Sequence, residues 1–567
     1  MNHAILLLIG LLPLLAILLA GHRFGRWAML IAPLPALYAA ISLPIGTTVS
    51  LPWLLLGVEL GLDETGRVFL LFSGLLWLVA SLTEAGSRGN NDNAARYRVF
   101  FLLAMAGNLS LIVAQDMVSF YLGFTLMGLA AYGLIVQSAS QRARQAARRY
   151  LAWTIAGEMV LFVAIVMLAQ QHNGSVAFSA LVSSTPGNFV MLLLVIGFGI
   201  KLALPGLHLW LPQAYAVTPT SAVVVLSGAM INAGLLGWLR FLPSGDVALT
   251  GWGQMLMILG TTGIFFGVIV GLLQQRPRLL LGYSSISKMG TLTTGMGAAL
   301  MWPLAAPLII SALVIYATHH ALIKGALFLG TGMVERGGLR SWLLVGLVFL
   351  ILAMAGAPFT SGALAKSVFS AALPQQAHYL ITLLAISAFA TTLLMARFLF
   401  LIWSKHQRVQ SKLSSESIAA WLILILAIAV FPVVIADNDQ LLTDVMPLAV
   451  ALLMIVTVLS GRKYFTRWLP NHSRLLQGKT IVKRFSAEAS LILPCTLAVA
   501  KLRHAVYAGA EKLKFTWAAS HQWLRKVPWN QWMRLSRSNA EVDRWSFAGS
   551  LWLGILGMVL IMIVVDM

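Results

Sequence analysis

Apolar runs of eighteen or more residues recur along the whole of this 567-residue chain. Each is long enough to cross the ~30 Å hydrocarbon core of a bilayer as a helix. In lipid every backbone donor and acceptor must be satisfied within the segment, and continuous apolar runs achieve this as α-helices. Only 10% of residues are charged and 59% are hydrophobic, against roughly 25% charged in a soluble domain. The sequence therefore predicts an all-α, polytopic membrane protein. Runs bounded by charges, Gly or Pro give about sixteen spans, centred near residues 12, 36, 75, 106, 126, 160, 200, 230, 262, 289, 318, 355, 390, 427, 451 and 556. The run Val49 to Leu60 is too short to count. The first run, Ala4 to Ala20, follows no basic segment and leads into GHRFGRW, so a retained helix is expected rather than a signal peptide.

Charge sets the expected orientation. The net +21 fits cytoplasmic loops and anionic headgroups rather than nucleic acid. The segment QRARQAARRY, residues 141 to 150, holds four arginines and no acid and is expected on the cytoplasmic side. Five spans before it put the N-terminus outside, and an even count returns the C-terminus there. The expected location is a bacterial inner membrane with both termini periplasmic. Residues 461 to 545 carry 16 Lys and Arg against 4 Asp and Glu, a net +12, together with six tryptophans. Apolar and aromatic residues recur there at helical spacing between the cations, as in a lateral amphipathic helix on the membrane surface; a basic linker is the alternative. Cys495 is the single cysteine, which excludes an internal disulfide and any multi-cysteine metal site.

Within the spans, charge is scarce and cationic. Glu158, in YLAWTIAGEMVLFVAIVML, is the one acid well inside an apolar run, whereas Lys201, Lys288, Lys324 and Lys366 all lie in such runs. A charge at the bilayer centre costs at least ~2.5–3.5 kcal/mol, so function is the default reading. The stretch GFGIKLALPGLHLWLP places Pro205 four residues after Lys201 and Pro212 four after His208. Neither proline has an N–H for the carbonyl four residues back. The helix is expected to break beside Lys201, exposing polar backbone to protein or water. The alternative is a lysine snorkelling at a helix end. In AMAGAPFTSGALAKSVFSAAL, residues 353 to 373, Gly356, Pro358 and Gly362 precede Lys366.

Lys201 and Lys366 are 165 residues apart, with about five spans between corresponding points. An odd number inverts the second copy, and inverted repeats with a broken helix in each are a transporter signature. The expected division is N-terminal helices 1–96, a first five-helix repeat 97–245, a second 250–405, C-terminal helices 415–460, the arm 461–545 and an anchoring helix 546–567. Between the lysines, Tyr316, His320 and Lys324 in LVIYATHHALIKGALFLGTG are spaced i, i+4, i+8, on one helix face, with His319 turned about 100° away. A histidine and lysine on one face suit a proton relay or simple bonding to nearby carbonyls. A metal site would need a third ligand, and none is nearby. Lys288, after the basic loop QQRPR, suits a relay or a snorkelling position equally. If the sixth and seventh helices are neighbours, Glu158 and Lys201 should pair, and opening the pair would release a proton.

The stretches KLALPGLHLWLPQAYAVTPTSA, LLLGYSSISKMG, THHALIKGALFLGTG and GAPFTSGALAKSVF resemble the antiporter-like, proton-conducting subunits of respiratory complex I, membrane-bound hydrogenases and Mrp antiporters, in that order, over residues ~150 to 400. The span count and arm resemble the distal subunit of complex I. SGAMINAGLLGWLR is similar to the hydrogenase type. The resemblance implies one half-channel per repeat joined by a central polar axis. Lys201 matches the seventh-helix lysine, His320 and Lys324 the eleventh-helix pair, Lys366 the twelfth-helix lysine, and Glu158 a sixth-helix acid. Two family features are absent. Phe124 and Thr125 stand where a fifth-helix glutamate is usual, and VVVLSGAM lacks the eighth-helix His or Lys.

The expected function is proton or other cation translocation within a larger complex of membrane and cytoplasmic subunits embedded in lipid. The expected proton path uses Lys201, Glu158, Lys324, His320, Lys366, Lys288 and His208, with breaks at Pro205 and Pro358. No Gly-rich nucleotide loop, iron–sulfur ligand set or haem site is evident, so no cofactor and no redox step is expected in this chain. Two alternatives remain. One is the membrane subunit of a DAB-type inorganic carbon pump working with a zinc-containing cytoplasmic partner; the other is a non-conducting scaffold.

Overall fold

The computed structural model describes residues 2–22, 24–54, 56–86, 92–181, 185–245, 247–404 and 413–435. The expected centres near 451 and 556, the arm 461–545, the helix 546–567 and Cys495 lie outside these residues. The helices are α1 Asn2–Ala16, α2 Gly25–Ile31, α3 Leu34–Ser42, α4 Glu64–Ala85, α5 Asp92–Val113, α6 Met117–Val136, α7 Gln141–Gln171, α8 Phe178–Leu181, α9 Asn188–Lys201, α10 Leu211–Val217, α11 Thr220–Val225, α12 Ile231–Phe241, α13 Thr250–Leu272, α14 Pro277–Met301, α15 Ala306–Gly337, α16 Ser341–Ala355, α17 Ser361–Ala372, α18 His378–Ser404 and α19 Ser415–Ile435. A π-helical turn, Leu226–Met230, joins α11 to α12. All fourteen expected centres within the described residues fall in helical segments.

Among the described residues, ten helices are long and apolar enough to cross a membrane, and two shorter apolar ones are α9 and α16. The chain is a multi-pass, essentially all-α membrane protein. The run Val49 to Leu60 is the exception. It forms an antiparallel hairpin of β1 Thr48–Leu51 and β2 Val58–Gly61, with Thr48 opposite Gly61 and Leu51 opposite Val58. Gly57, at φ +93°, supplies the left-handed residue in the connection. The hairpin is tied to the bundle by Asp116, which caps α6 at Ser119 N (2.7 Å) and also accepts from Glu59 N (3.0 Å).

Polarity points inward. On α7, Ile155, Met159, Phe162, Val163 and Val166 are exposed, while Tyr150, Thr154, Glu158 and Leu161 are buried. Apolar side chains face lipid and ionisable ones face the bundle, as cost dictates at membrane depth. The interior polar seam is densest on α14 and α15. Ser284, Ser285, Ser287, Lys288, Thr291, Thr293 and Thr294 are buried on the first, and Thr318, His319, His320, Lys324 and Thr331 on the second.

Close helix approach positions that seam. Gly253, Gly260 and Gly267 recur every seven residues on α13 and face α14. A Cβ at Gly260 would lie 2.6 Å from the Gly290 carbonyl, and one at Gly253 2.7 Å from the Gly297 carbonyl. Contact of this kind is how membrane helices associate without a hydrophobic driving force between them. Polar clips fix the ends. Asp63 caps α4 at Gly66 N (2.6 Å) and pairs with Arg240 of α12. Arg278 of α14 pairs with Glu335 of α15 (2.7 Å) and donates to the Thr218 carbonyl (2.7 Å) and Thr220 Oγ1 (3.0 Å).

Candidate functional site

The first break leaves a lysine at a helix end. α9 stops at Lys201 and α10 starts at Leu211. Between them the chain turns through Ala203 (φ +54°) and Gly206 (φ +86°). Leu204 N donates to the Gly199 carbonyl (3.0 Å) and the Trp210 indole to the Ile200 carbonyl (2.8 Å). The His208 carbonyl, expected to be freed by Pro212, instead accepts from Leu211 N (3.0 Å): a three-residue turn supplies the donor that the proline lacks. The His208 ring packs edge-on against Phe266 of α13, 4.8 Å between centroids.

Lys201 is buried. Its amine donates to the Tyr150 hydroxyl (3.3 Å) and lies over the Phe124 and Tyr150 rings at 5.5 and 5.6 Å. Tyr150 in turn donates to the Gly128 carbonyl of α6 (2.9 Å). A small cavity lined by Phe124, Thr154, Gly157, Gly197, Ile200, Lys201 and Trp210 has room for about one water. α7 and α9 are neighbours, yet the expected Glu158–Lys201 ion pair is not formed. Among the described residues the two groups are within electrostatic reach but no carboxylate lies within 4 Å of the lysine. Two packing facts account for this. Tyr150, two turns before Glu158 on α7, reaches the amine first. The Glu158 carboxyl turns to α6, where its Oε1 fills the space a side chain at Gly128 would occupy.

The second break repeats the device with a different latch. α16 ends at Ala355; Gly356 is left-handed (φ +87°, ψ +42°), and Ala357 N donates to the Leu352 carbonyl (3.0 Å), a helix-closing pattern that glycine permits. After Pro358 and Phe359 (φ +59°), Thr360 caps α17 at Ala363 N (3.4 Å). The Lys366 amine reaches back from α17 and donates to the Ala355 carbonyl, the last of α16. A cation there also faces the negative end of the helix dipole.

α14 and α15 connect the two breaks. Lys324 donates to the Leu281 carbonyl of α14 (2.9 Å), and Lys288 to Thr391 Oγ1 of α18 (2.8 Å). Lys288 is 2% exposed, which is not the posture of a snorkelling lysine. It lies within electrostatic reach of His319, His320, Lys324 and Lys366. Tyr316, His320 and Lys324 are all buried on α15. Neither ring nitrogen of His320 has a hydrogen-bond partner among the described residues, an expensive condition that calls for a functional account. Sequence reasoning missed four partners: Tyr150, Trp210, Ser361 and Thr391. The contacts of Tyr150, Ser361 and Thr391 join residues 42 to 103 positions apart and leave no local pattern, and that of Trp210 spans ten positions across the break.

Two interrupted membrane helices, one presenting the buried Lys201 and the other the half-buried Lys366 at its break, define a transporter-type bundle. The family described as NADH:quinone oxidoreductase/Mrp antiporter, TM matches residues 114–394. Hydrogenase-4 component B of Escherichia coli (strain K12) is 27% identical over 292 residues, covering 49% of this chain and 43% of that protein. NADH-quinone oxidoreductase subunit M of Rhodobacter capsulatus is 27% identical over 384 residues, covering 60% of this chain and 73% of that one. The chain thus spans less than half the length of the hydrogenase relative. A chain of the Mrp complex from Dietzia sp. DQ12-45-1b superposes with TM-score 0.69 at 23% identity, covering 94% of this chain and 62% of that chain, a likeness of fold.

Proposed function

We propose that this chain is the cation-translocating membrane subunit of a larger complex of the complex I, hydrogenase or Mrp type, with the proton as the cation carried. The observation that carries the reading is the set of four lysines inside the helical bundle, Lys201, Lys288 and Lys324 buried and Lys366 half-buried, each ending on a neutral acceptor. Each is costly at membrane depth. An amine so placed has a means of holding a proton and a reason to pass it on. Lys201 loads and releases; Lys288, His320 and Lys324 form the central relay; Lys366 is the terminal lysine of the second half. His208 lies on the same interrupted segment as the first break, and Pro205 and Pro358 keep the helices open.

Glu158 stands in for the absent fifth-helix acid. Its carboxyl lies against Gly128, three residues after Thr125 on the helix where that acid would be. The carboxylate is thus delivered from α7 to nearly the place α6 would have supplied it. In one state Lys201 rests on Tyr150; in the other it swings to Glu158, and alternation between the two gates the proton. The chain itself carries no redox step, so energy comes from partner subunits or from an ion gradient.

Purification from the native membrane in mild detergent, with mass spectrometry of the accompanying proteins, tests the subunit reading. Iron–sulfur, nickel–iron or quinone-binding subunits, or other antiporter-like subunits, are expected. A single zinc-containing soluble partner would instead indicate a carbon-uptake machine, and a chain that purifies alone would overturn membership of a complex.

A further inference from the structure

We propose that His319 is a proton relay residue joining the α14–α15 lysines to Lys366, with Ser361 at the start of α17 holding its ring. The inference rests on the transport function proposed above. His320 shares a face with Lys324, whereas His319 turns toward α17. Its Nδ1 lies 2.9 Å from Ser361 Oγ. The ring is buried and meets Tyr316 edge-on at 6.2 Å. Gly362 makes the room: a Cβ there would lie 3.2 Å from His319 Cε1. Lys288 and Lys366 both act on the imidazole electrostatically. The titratable groups around it are therefore Tyr316 and His320 on its own helix, Lys288 on α14 and Lys366 on α17.

The geometry gives His319 a place that no other titratable side chain on α15 holds: the mouth of the second break, between the central axis and the terminal lysine. The step moves one proton and no electrons. An N–H bond of the Lys288 ammonium breaks as one forms on neutral imidazole; the imidazolium then loses a proton to the neutral amine of Lys366. With Nδ1 engaged by Ser361, exchange falls to Nε2, and a ring swing about the Ser361 contact covers the gap. The reverse order serves transport in the other direction.

The rival role is a strut pinning α17 to α15, and substitution separates the two. His319→Asn keeps a polar atom near Nδ1 for Ser361 but cannot take up a proton; Ser361→Ala removes the contact and keeps the titratable ring. The full chain, with the subunits that copurify, is reconstituted in vesicles containing a pH-sensitive dye. Expected is an intact assembly in which His319→Asn loses at least about tenfold of the flux while Ser361→Ala, which keeps the titratable ring and loses its hold, loses less and shifts the pH midpoint. Parental flux in His319→Asn, or equal losses in both variants, overturns the inference and leaves the transport reading standing. No proton flux in the parent overturns that reading and this inference with it. If His319→Asn fails to assemble, Ser361→Ala decides: the pH midpoint of its flux should move from the parent's, and an unmoved midpoint overturns the relay.

Discussion

Gly356→Ala relocates Lys366 without removing it. Gly356 adopts φ +87° and ψ +42°, a left-handed conformation that costs an alanine about 1 kcal/mol or slightly more. The new Cβ would collide with the Lys366 amine and lie 3.0 Å from both Cδ and Cε of that side chain, tighter than nine in ten real Cβ contacts. The lysine stem must move, and the amine leaves the Ala355 carbonyl. A hydrogen bond involving a charged group contributes roughly 1.5–3 kcal/mol. The substitution is thus expected to destabilise the protein by about 2.5–4.5 kcal/mol. If the lost contact enters the transport barrier, flux falls by about ten- to a hundredfold. Thermal unfolding followed by size-exclusion fluorescence and dye-reported flux in vesicles measure the two effects. Gly356→Asn separates them, because asparagine tolerates the left-handed region: its stability should recover more than its flux. A Gly356→Ala protein as stable as the parent and equally active would refute the latch and the role of Lys366 built on it.

Tyr150→Phe should leave the fold intact and cut flux severalfold, since Lys201 loses the hydroxyl on which it rests; unchanged flux removes Tyr150 from the path. Asp63→Ala removes the cap of α4 and one half of the Arg240 pair. A cap contributes about 1 kcal/mol, and the pair adds less because Asp63 is 39% exposed, so the unfolding temperature should drop while flux per assembled complex stays constant. Gly290→Val forces a side chain to within 2.5 Å of the Gly260 carbonyl. Assembly yield, read by size-exclusion chromatography, should collapse, and normal yield would contradict the α13–α14 contact.

The sequence carried different parts of this structure with different clarity. Helix positions were legible because each span is a continuous apolar run, read over a window as long as the bilayer is thick. The first break was legible because proline's missing N–H acts on a carbonyl four residues away, and the second because Gly356 and Pro358 interrupt an apolar run, with Gly356 taking the left-handed turn that closes α16. The β1–β2 hairpin was not, since a twelve-residue apolar run carries too little signal to choose between strand and helix. The glycine heptad on α13 was present in the sequence, but its meaning depends on Gly290 and Gly297 of the facing helix. The charged site residues stood out by their cost in lipid. Their partners did not: Lys288 meets Thr391 across 103 positions and Lys201 meets Tyr150 across 51. Glu158 was seen as the partner of Lys201, but the small residue at 128 that draws its carboxyl to α6 was not. His319 was set aside because spacing alone put it off the Lys324 face, and only the position of Ser361 shows what it faces.

The most direct measurement is proton flux through the assembled complex reconstituted in vesicles, compared among the parent, Lys201→Ala and Lys366→Ala. Each substitution is expected to abolish flux while subunit composition and assembly remain those of the parent. If both variants assemble and conduct like the parent, the two lysines at the helix breaks are not the path, and the chain is not the conductor described here.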